Sequence, residues 1–330
     1  LTLNEVKKRI EKMIPKGLDY EIDVEAGSIA IITHTPREFG KGGGESLTVK
    51  IAKSIKRRVV IRPHSDLLLN EDQVEQKIME TIPNEAQVRN IFIDPALSEV
   101  TIECDDPSIA VGHKGTIIQA LRDEIGWLVN VTRAPAFESR TQHDIRRYRR
   151  EMADERRGLL RKFGTRIYRP KRPGQPWARI TALGSYREVG RAMHLVTTNE
   201  SKVLVDVGAK PTVNKNEVQP FFNAPELLPL DNIDAVVLTH AHVDHIAMLP
   251  VLFRYGYRGP VYCTPPTRDL MTLLQIDYIK VAQAEGTDPP YSKADIQECI
   301  KHVVDIGHGE KTDIAPDIKI SMENAGHILG

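Results

Sequence analysis

The chain has 330 residues, 45 Lys+Arg against 45 Asp+Glu, and 41% hydrophobic residues. That apolar share supports packed cores and excludes a disordered chain, and the length suggests two or three domains. No run of about 18 apolar residues is present, which excludes a helical membrane span, and the N-terminal LTLNEVKKRI has no apolar signal core. Cys104, Cys263 and Cys299 are odd in number and widely spaced, so they build neither a disulfide framework nor a CxxC zinc site. A reduced, cytoplasmic setting follows as the expectation.

The zero net charge is a sum of unlike segments. Residues 1–139 carry 18 basic and 22 acidic side chains, residues 140–172 carry 13 and 4, and residues 173–330 carry 14 and 19. One stretch of net +9 therefore lies between blocks of −4 and −5.

Taken in chain order, the first elements repeat. EIDVE and SIAIITH read as strands, Gly40-Lys41-Gly42-Gly43 is a GxxG loop, ESLTVKIAKSIKR has helical spacing of Leu47, Ile51 and Ile55, and VVIRP reads as a strand. Seventy-two residues on, NIFID and SEVTIEC precede a second GxxG, Gly112-His113-Lys114-Gly115, followed by the amphipathic TIIQALRDEIG and the strand WLVNVTRAP. Each copy runs strand, strand, short helix, GxxG, helix, strand. That order resembles a tandem pair of prokaryotic-type KH modules, in which the GxxG joins two helices and clamps single-stranded nucleic acid. Glycine admits a phosphate close to the main chain, and the following helix offers its N-terminal N–H groups. The resemblance implies RNA contact by Gly40, Lys41, Gly42, Gly43, Gly112, His113, Lys114 and Gly115. The second copy is the cleaner match, because the first runs on through Gly44.

The Arg-rich residues 138–176 favour helix to about Lys162, and Pro170, Pro173, Gly174 and Pro176 then mark a boundary. They read either as a track for phosphates or as a solvated linker helix whose arginines pair with Asp144, Glu151, Asp154 and Glu155. From Trp177 onward, strand-like ARITALGS, AMHLVTT, SKVLVDVG, IDAVVLTH and GPVYCTP alternate with a helix over HIAMLPVLFRYG, an α/β pattern. IDAVVLTH runs straight into His240-Ala241-His242-Val243-Asp244-His245. Three histidines and an aspartate within six residues at a strand end suit zinc, whose catalytic sites need three protein ligands and an open position. Asp206 and His327 also end strand-like runs.

THAHVDHIAMLP is similar to the HxHxDH signature of the metallo-β-lactamase superfamily. GSYREVGRAMHLVTTNESKVLVDVGA and NAGHILG narrow the resemblance to the β-CASP branch of RNA-processing nucleases. Tandem KH modules ahead of such a domain resemble the archaeal homologues of the cleavage and polyadenylation specificity factor nuclease. Nearly the whole chain takes part in the resemblance. Two departures are Ile246-Ala247, where the family has a small or polar pair, and Ala192, where it has serine; neither replaces a ligand.

The implied architecture is a multidomain α+β and α/β chain. It comprises KH modules at 1–67 and 68–138, a basic linker at 139–176, and the N-terminal part of a metallo-β-lactamase αββα sandwich at 177–330. The resemblance assigns His240, His242 and His327 to one zinc and starts a second site at Asp244 and His245. It makes Asp206 the carboxylate that orients the HxHxDH loop, and Asp244 the group beside the attacking water. Two zinc ions are implied for the complete enzyme, because the third motif begins just before Gly330 and later ligands would lie beyond it. This portion alone is expected to be inactive. The expected function is zinc-dependent cleavage of single-stranded RNA in 3′-end processing or transcription termination. Implied partners are single-stranded RNA, a second copy of the chain joined through the missing C-terminal portion, and transcription machinery. The alternative is an RNA-binding module without catalysis. A small-molecule hydrolase such as a thioesterase ranks last, since it needs neither GxxG loops nor an Arg-rich segment.

Overall fold

The structure, a computed structural model, describes residues 2–40, 45–210 and 218–330. The chain forms two compact units, one of Glu5–Glu25 and Ile29–Gly158, the other of Leu1–Asn4, Ala26–Ser28 and Leu159–Gly330. The main division thus falls inside the basic stretch, between residues 158 and 159.

The first unit contains the sequence repeat. Its first half runs α1 (Leu3–Glu11), β1 (Glu21–Glu25), β2 (Ser28–Thr33), α2 (Pro36–Gly40), α3 (Leu47–Ile55) and β3 (Arg58–Pro63). Its second half runs α4 (Glu71–Thr81), β4 (Val88–Asp94), β5 (Glu99–Cys104), α5 (Pro107–Val111), α6 (Thr116–Ile125) and β6 (Leu128–Arg133). Each half holds a three-stranded sheet, in the order β1-β2-β3 or β4-β5-β6. Central β5 pairs antiparallel with β4 and parallel with β6. The sequence order of elements recurs in both halves, with a leading helix, α1 or α4, added to each.

The helices stand where side-chain chemistry starts and stops them. Asn70 accepts from Gln73 N at 2.9 Å to cap α4, and Asp106 accepts from Ser108 N at 2.9 Å to cap α5. Gly126, at φ +77°, ends α6 in the left-handed conformation. Val74 and Ile78 of α4 and Leu121 and Ile125 of α6 share one core with Val100, Ile102 and Val129 of the sheet. Buried Arg62 of β3 donates to Glu25 and to Glu99, joining groups from both sheets.

The basic stretch keeps part of the second sequence reading, since Arg147 pairs with Asp144 and Arg157 with Asp154, and adds partners that neither reading named. It forms α7 (Arg140–Glu151) and α8 (Ala153–Ile167), and its arginines bond carboxylates distant in sequence. Arg146 bonds Glu103 at 3.0 Å and lies 3.6 Å over the Phe92 ring. Arg156, only 2% exposed, forks onto Asp94 at 2.8 and 3.0 Å. Arg150 bonds Glu71. Beyond the division, Arg166 and Arg169 each reach Asp234 at 2.7 Å. The expected phosphate track is therefore corrected at these positions, where guanidinium groups, buried at Arg156 and half-buried elsewhere, are held by carboxylates of the chain itself.

The second unit is built on a six-stranded sheet. Its strands are β7 (Ala178–Ala182), β8 (His194–Thr198), β9 (Lys202–Val205), β10 (Ala235–Val237), β11 (Val261–Cys263) and β12 (Val303–Asp305), in the order β12-β11-β10-β9-β8-β7. β7, β8 and β9 pair antiparallel, whereas β9 through β12 run parallel. Val236 and Val261 are fully buried, as expected of parallel strands covered on both faces. The helix expected over HIAMLPVLFRYG is two short ones, α9 (Val243–Ile246) and α10 (Leu249–Arg254). Met248 N donates to Val207 O at 2.8 Å instead of continuing α9, and Pro250 has no N–H to offer. α11 (Pro265–Ala284) and α12 (Lys293–His302) follow, then the hairpin β13 (Thr312–Ala315) and β14 (Ile318–Ile320).

Candidate metal centre

The carboxyl ends of parallel strands β9 and β10 open onto one place, the usual location of sites in α/β sheets. Asp206 follows β9. His240, His242, Asp244 and His245 follow β10, the last two in the first turn of α9. Residues 206–209 brace this loop through main-chain bonds. Val207 N donates to His245 O at 2.7 Å, Ala209 N to Val243 O at 3.2 Å, and Ala192 N to Asp244 O at 2.8 Å. Gly208 is required here, because a Cβ at that position would lie 1.6 Å from Asp244 O.

Three of the predicted ligands converge. Ligating atoms of His240, His242 and His327 all lie within 4.8 Å of one another. His240 Nε2 stands 3.0 Å from His242 Nδ1, and His327 Nε2 stands 3.2 Å from that same Nδ1. Nitrogens bound tetrahedrally to zinc at 2.0–2.1 Å would be about 3.3 Å apart. The donor set therefore fits a zinc ion without rearrangement of its elements.

Proton placement agrees with that fit. Asp206 is buried and, at φ +59°, left-handed, which an aspartate tolerates better than most residues. Its carboxylate accepts from Thr239 N at 2.8 Å and from Thr239 Oγ1 at 2.8 and 3.1 Å. The single hydroxyl proton of Thr239 thus points at Asp206. The Oγ1 lone pairs then accept from His240 Nδ1 at 2.9 Å, which leaves His240 Nε2 bare for a metal. Asp206 also accepts from His245 Nδ1 at 2.8 Å, so His245 likewise presents a bare Nε2. One carboxylate sets the tautomer of two histidines, directly for His245 and through a hydroxyl for His240.

The charges are uneven. Burial pushes the His240 imidazole below its usual pKa, and neighbouring His245 adds to this. Burial also opposes charge on His245, but the hydrogen bond and charge of Asp206, with Asp244, outweigh it and raise its pKa. Asp244 Oδ2 lies 3.6 Å from His245 Nε2, so these two form a separate, two-residue group beside the three histidines.

Among the predicted nucleic-acid contacts, Gly40 ends α2, while Lys41, Gly42 and Gly43 lie outside the described residues. Gly112, His113, Lys114 and Gly115 connect α5 to α6. Gly112, Lys114 and Gly115 have φ of +75°, +54° and +78°. Thr239 and Gly208 were not singled out in the sequence. The strand-end position of Thr239, next to His240, is the one available signal for it. Arg191 bonds Glu188 at 2.5 Å and lies 4.9 Å over Phe221, beside Ala192.

Residues 195–330 match the metallo-beta-lactamase superfamily domain, and residues 1–68 match the KH domain of transcription termination factor FttA. The transcription termination factor FttA of Methanosarcina mazei is 40% identical over 329 residues, 99% of this chain and 51% of that protein. The chain is homologous to the archaeal FttA proteins. That of Pyrococcus abyssi is 41% identical over 335 residues, again 99% of this chain and 51% of that protein. That of Lokiarchaeum is 36% identical over 332 residues, 100% of this chain and 52% of that protein. The chain thus spans about half the length of the curated relatives it matches. It is a mixed α/β protein with an N-terminal KH domain and a metallo-β-lactamase-fold domain. Among the described residues no helix is long and apolar enough to cross a membrane.

Proposed function

We propose that this chain forms the RNA-binding and metal-binding part of a zinc-dependent ribonuclease of the β-CASP branch, acting on single-stranded RNA in 3′-end processing or transcription termination. The observation that supports it most is the convergence of His240, His242 and His327, with the bare Nε2 of His240 set by Asp206 through Thr239, in a chain that also has a KH domain.

In this reading His240 Nε2, His242 Nδ1 and His327 hold one zinc, and Asp244 and His245 begin a second site. Zinc bound there supplies Lewis acidity, making water a nucleophile at neutral pH and neutralising charge on phosphoryl oxygens. Asp206 keeps His240 and His245 in their metal-binding tautomers. Asp244 takes the proton from the attacking water. Residues 68–138 act as a second KH module, with the Gly112–Gly115 loop holding the phosphate backbone. The relatives' role in termination extends to this chain on the same reading, which further expects contact with transcription machinery, a homodimer and a cytoplasmic location.

The test is cleavage of a labelled single-stranded RNA by the complete enzyme that would contain this chain, which a chelator should abolish. Unchanged cutting by His240→Ala/His242→Ala would sink the proposal. Gly115→Asp tests the second module better than Gly112→Asp. A Cβ at Gly112 would meet Ile117 at 2.7 Å, whereas nothing lies within 4 Å at Gly115. The positive φ at Gly115 costs about 1–2 kcal/mol, so RNA affinity should fall while the fold survives. Unaltered affinity would remove the second KH assignment. A second reading, RNA binding without cleavage, draws on the two-residue group Asp244 and His245, short of a full ligand set among the described residues. It predicts RNA affinity that survives chelation in a protein that never cuts.

A further inference from the structure

A second set of ligating side chains stands in the first unit. Thr33 ends β2 and is followed by His34. Pro63 ends β3 and is followed by His64, with Asp66 two residues on. His64 N donates to Thr33 O at 2.9 Å, which brings the two strand ends together. The imidazoles of His34 and His64 stack with centroids 4.0 Å apart. One ligand atom from each of His34, His64 and Asp66 lies within 4.8 Å of the others.

A fourth residue prepares the site. Asp19 Oδ2 accepts from His34 Nδ1 at 2.6 Å and from His34 N at 3.1 Å. The loop that carries Asp19 is held in turn, because Thr33 Oγ1 donates to Asp19 O at 2.8 Å. A carboxylate on Nδ1 keeps the proton there and leaves His34 Nε2 bare, and that Nε2 stands 3.8 Å from Asp66 Oδ2. Asp206 does the same to His245. A carboxylate behind an imidazole, with its free nitrogen facing further donors, is the arrangement that orients a metal-bound histidine.

We propose that His34, His64 and Asp66 form a second divalent-metal site, with Asp19 positioning His34, and that it takes zinc or another first-row ion of similar softness. Two imidazoles and one carboxylate match zinc-type donors and differ from the all-oxygen sets that magnesium and calcium prefer. The side chains of His34 and Asp66 are 45% and 74% exposed, so an ion can enter from solvent and complete its shell with water. This site is independent of the ribonuclease reading, and its ligands share none with the His240 cluster.

The experiment counts zinc by elemental analysis in the 330-residue chain and in three variants. These are His34→Asn/His64→Asn, His240→Ala/His242→Ala, and the combination of all four substitutions. The proposal expects His34→Asn/His64→Asn to lose about one ion per chain, and the combination to lose more than either pair. Cobalt(II) added to His240→Ala/His242→Ala should give visible absorption bands that vanish in the combined variant. Asp66→Asn, at the most exposed of these positions, guards against a folding artefact and should also remove the ion with an unchanged circular dichroism spectrum. Asp19→Asn should keep the site but weaken zinc binding about 10- to 100-fold. A zinc count and cobalt spectrum indifferent to His34→Asn/His64→Asn would overturn the proposal. So would binding only at millimolar zinc, in which case the four side chains are an ion-paired cluster and nothing more.

Discussion

Gly208→Ala adds one methyl group and should disable the metal centre. The new carbon would lie 1.6 Å from Asp244 O, 2.0 Å from Asp244 C and 2.6 Å from His245 N. All three atoms are main chain, so no side chain can swing aside. An ordinary carbon–oxygen contact needs the strand end and the histidine loop to separate by well over 1 Å. Bonds between residues 206–209 and that loop, Val207 N to His245 O at 2.7 Å and Ala209 N to Val243 O at 3.2 Å, would stretch or break. Each is worth about 0.5–1.5 kcal/mol net, and overpacking costs about 1–3 kcal/mol, so about 2–6 kcal/mol of stability is at stake. For a unit of this size, about 2–4 °C per kcal/mol converts that to a fall of about 4–24 °C in Tm. Zinc affinity should fall with it, because a 1 Å displacement spoils the spacing of the three nitrogens. Calorimetry and zinc titration read both effects. A Gly208→Ala protein that unfolds at the parent temperature and binds zinc normally would refute the bracing role.

Other outcomes follow from the same geometry. Thr239→Val removes the hydroxyl between Asp206 and His240 and should loosen zinc about 10-fold, with Thr239→Ser restoring it; equal affinity of the valine variant would end the relay argument. Arg156→Ala removes the two bonds to Asp94, which keeps Arg149 at 3.6 Å and Ala96 N at 3.2 Å, and should cost about 1.5–3 kcal/mol in urea unfolding, whereas exposed Arg147→Ala should cost almost nothing. Arg191, then Lys210, hold Glu188 near a pKa of about 2 against its ordinary 4.5. A depressed carboxylate contributes stability that is present above pH 4.5 and lost as pH falls toward 2. Glu188→Gln should therefore flatten the acid limb of the stability profile over that interval, and an unchanged limb would show the pairing to be inert.

Much of the fold was legible because local patterns reported it. Alternating apolar residues marked β1, β2, β4 and β5, and the paired glycines exposed the repeat. His240, His242, Asp244 and His245 were legible because they are neighbours in sequence, whereas His327, 85 residues beyond His242, entered through the resemblance. What was missed depends on distance along the chain. The arginines of α7 and α8 find Glu103 and Asp94 from 43 and 62 residues away, so composition alone offered only a phosphate track or pairing with near neighbours. Thr239 was passed over because its role comes from a hydroxyl proton shared with Asp206, 33 residues upstream. His34 and His64 are each unremarkable until β2 and β3 bring their ends together. Met248 broke an expected helix because Val207, on a neighbouring segment, competes for its N–H.

The central claim is that zinc held by His240, His242 and His327 drives RNA cleavage. The most direct test returns zinc stepwise to the chelator-stripped complete enzyme that would contain this chain while cleavage of a labelled single-stranded RNA is followed. The account predicts a rate that climbs with the zinc taken up, and a background rate in His240→Ala/His242→Ala at the same zinc. Full cutting by the stripped protein, or equal recovery in the variant, would contradict it.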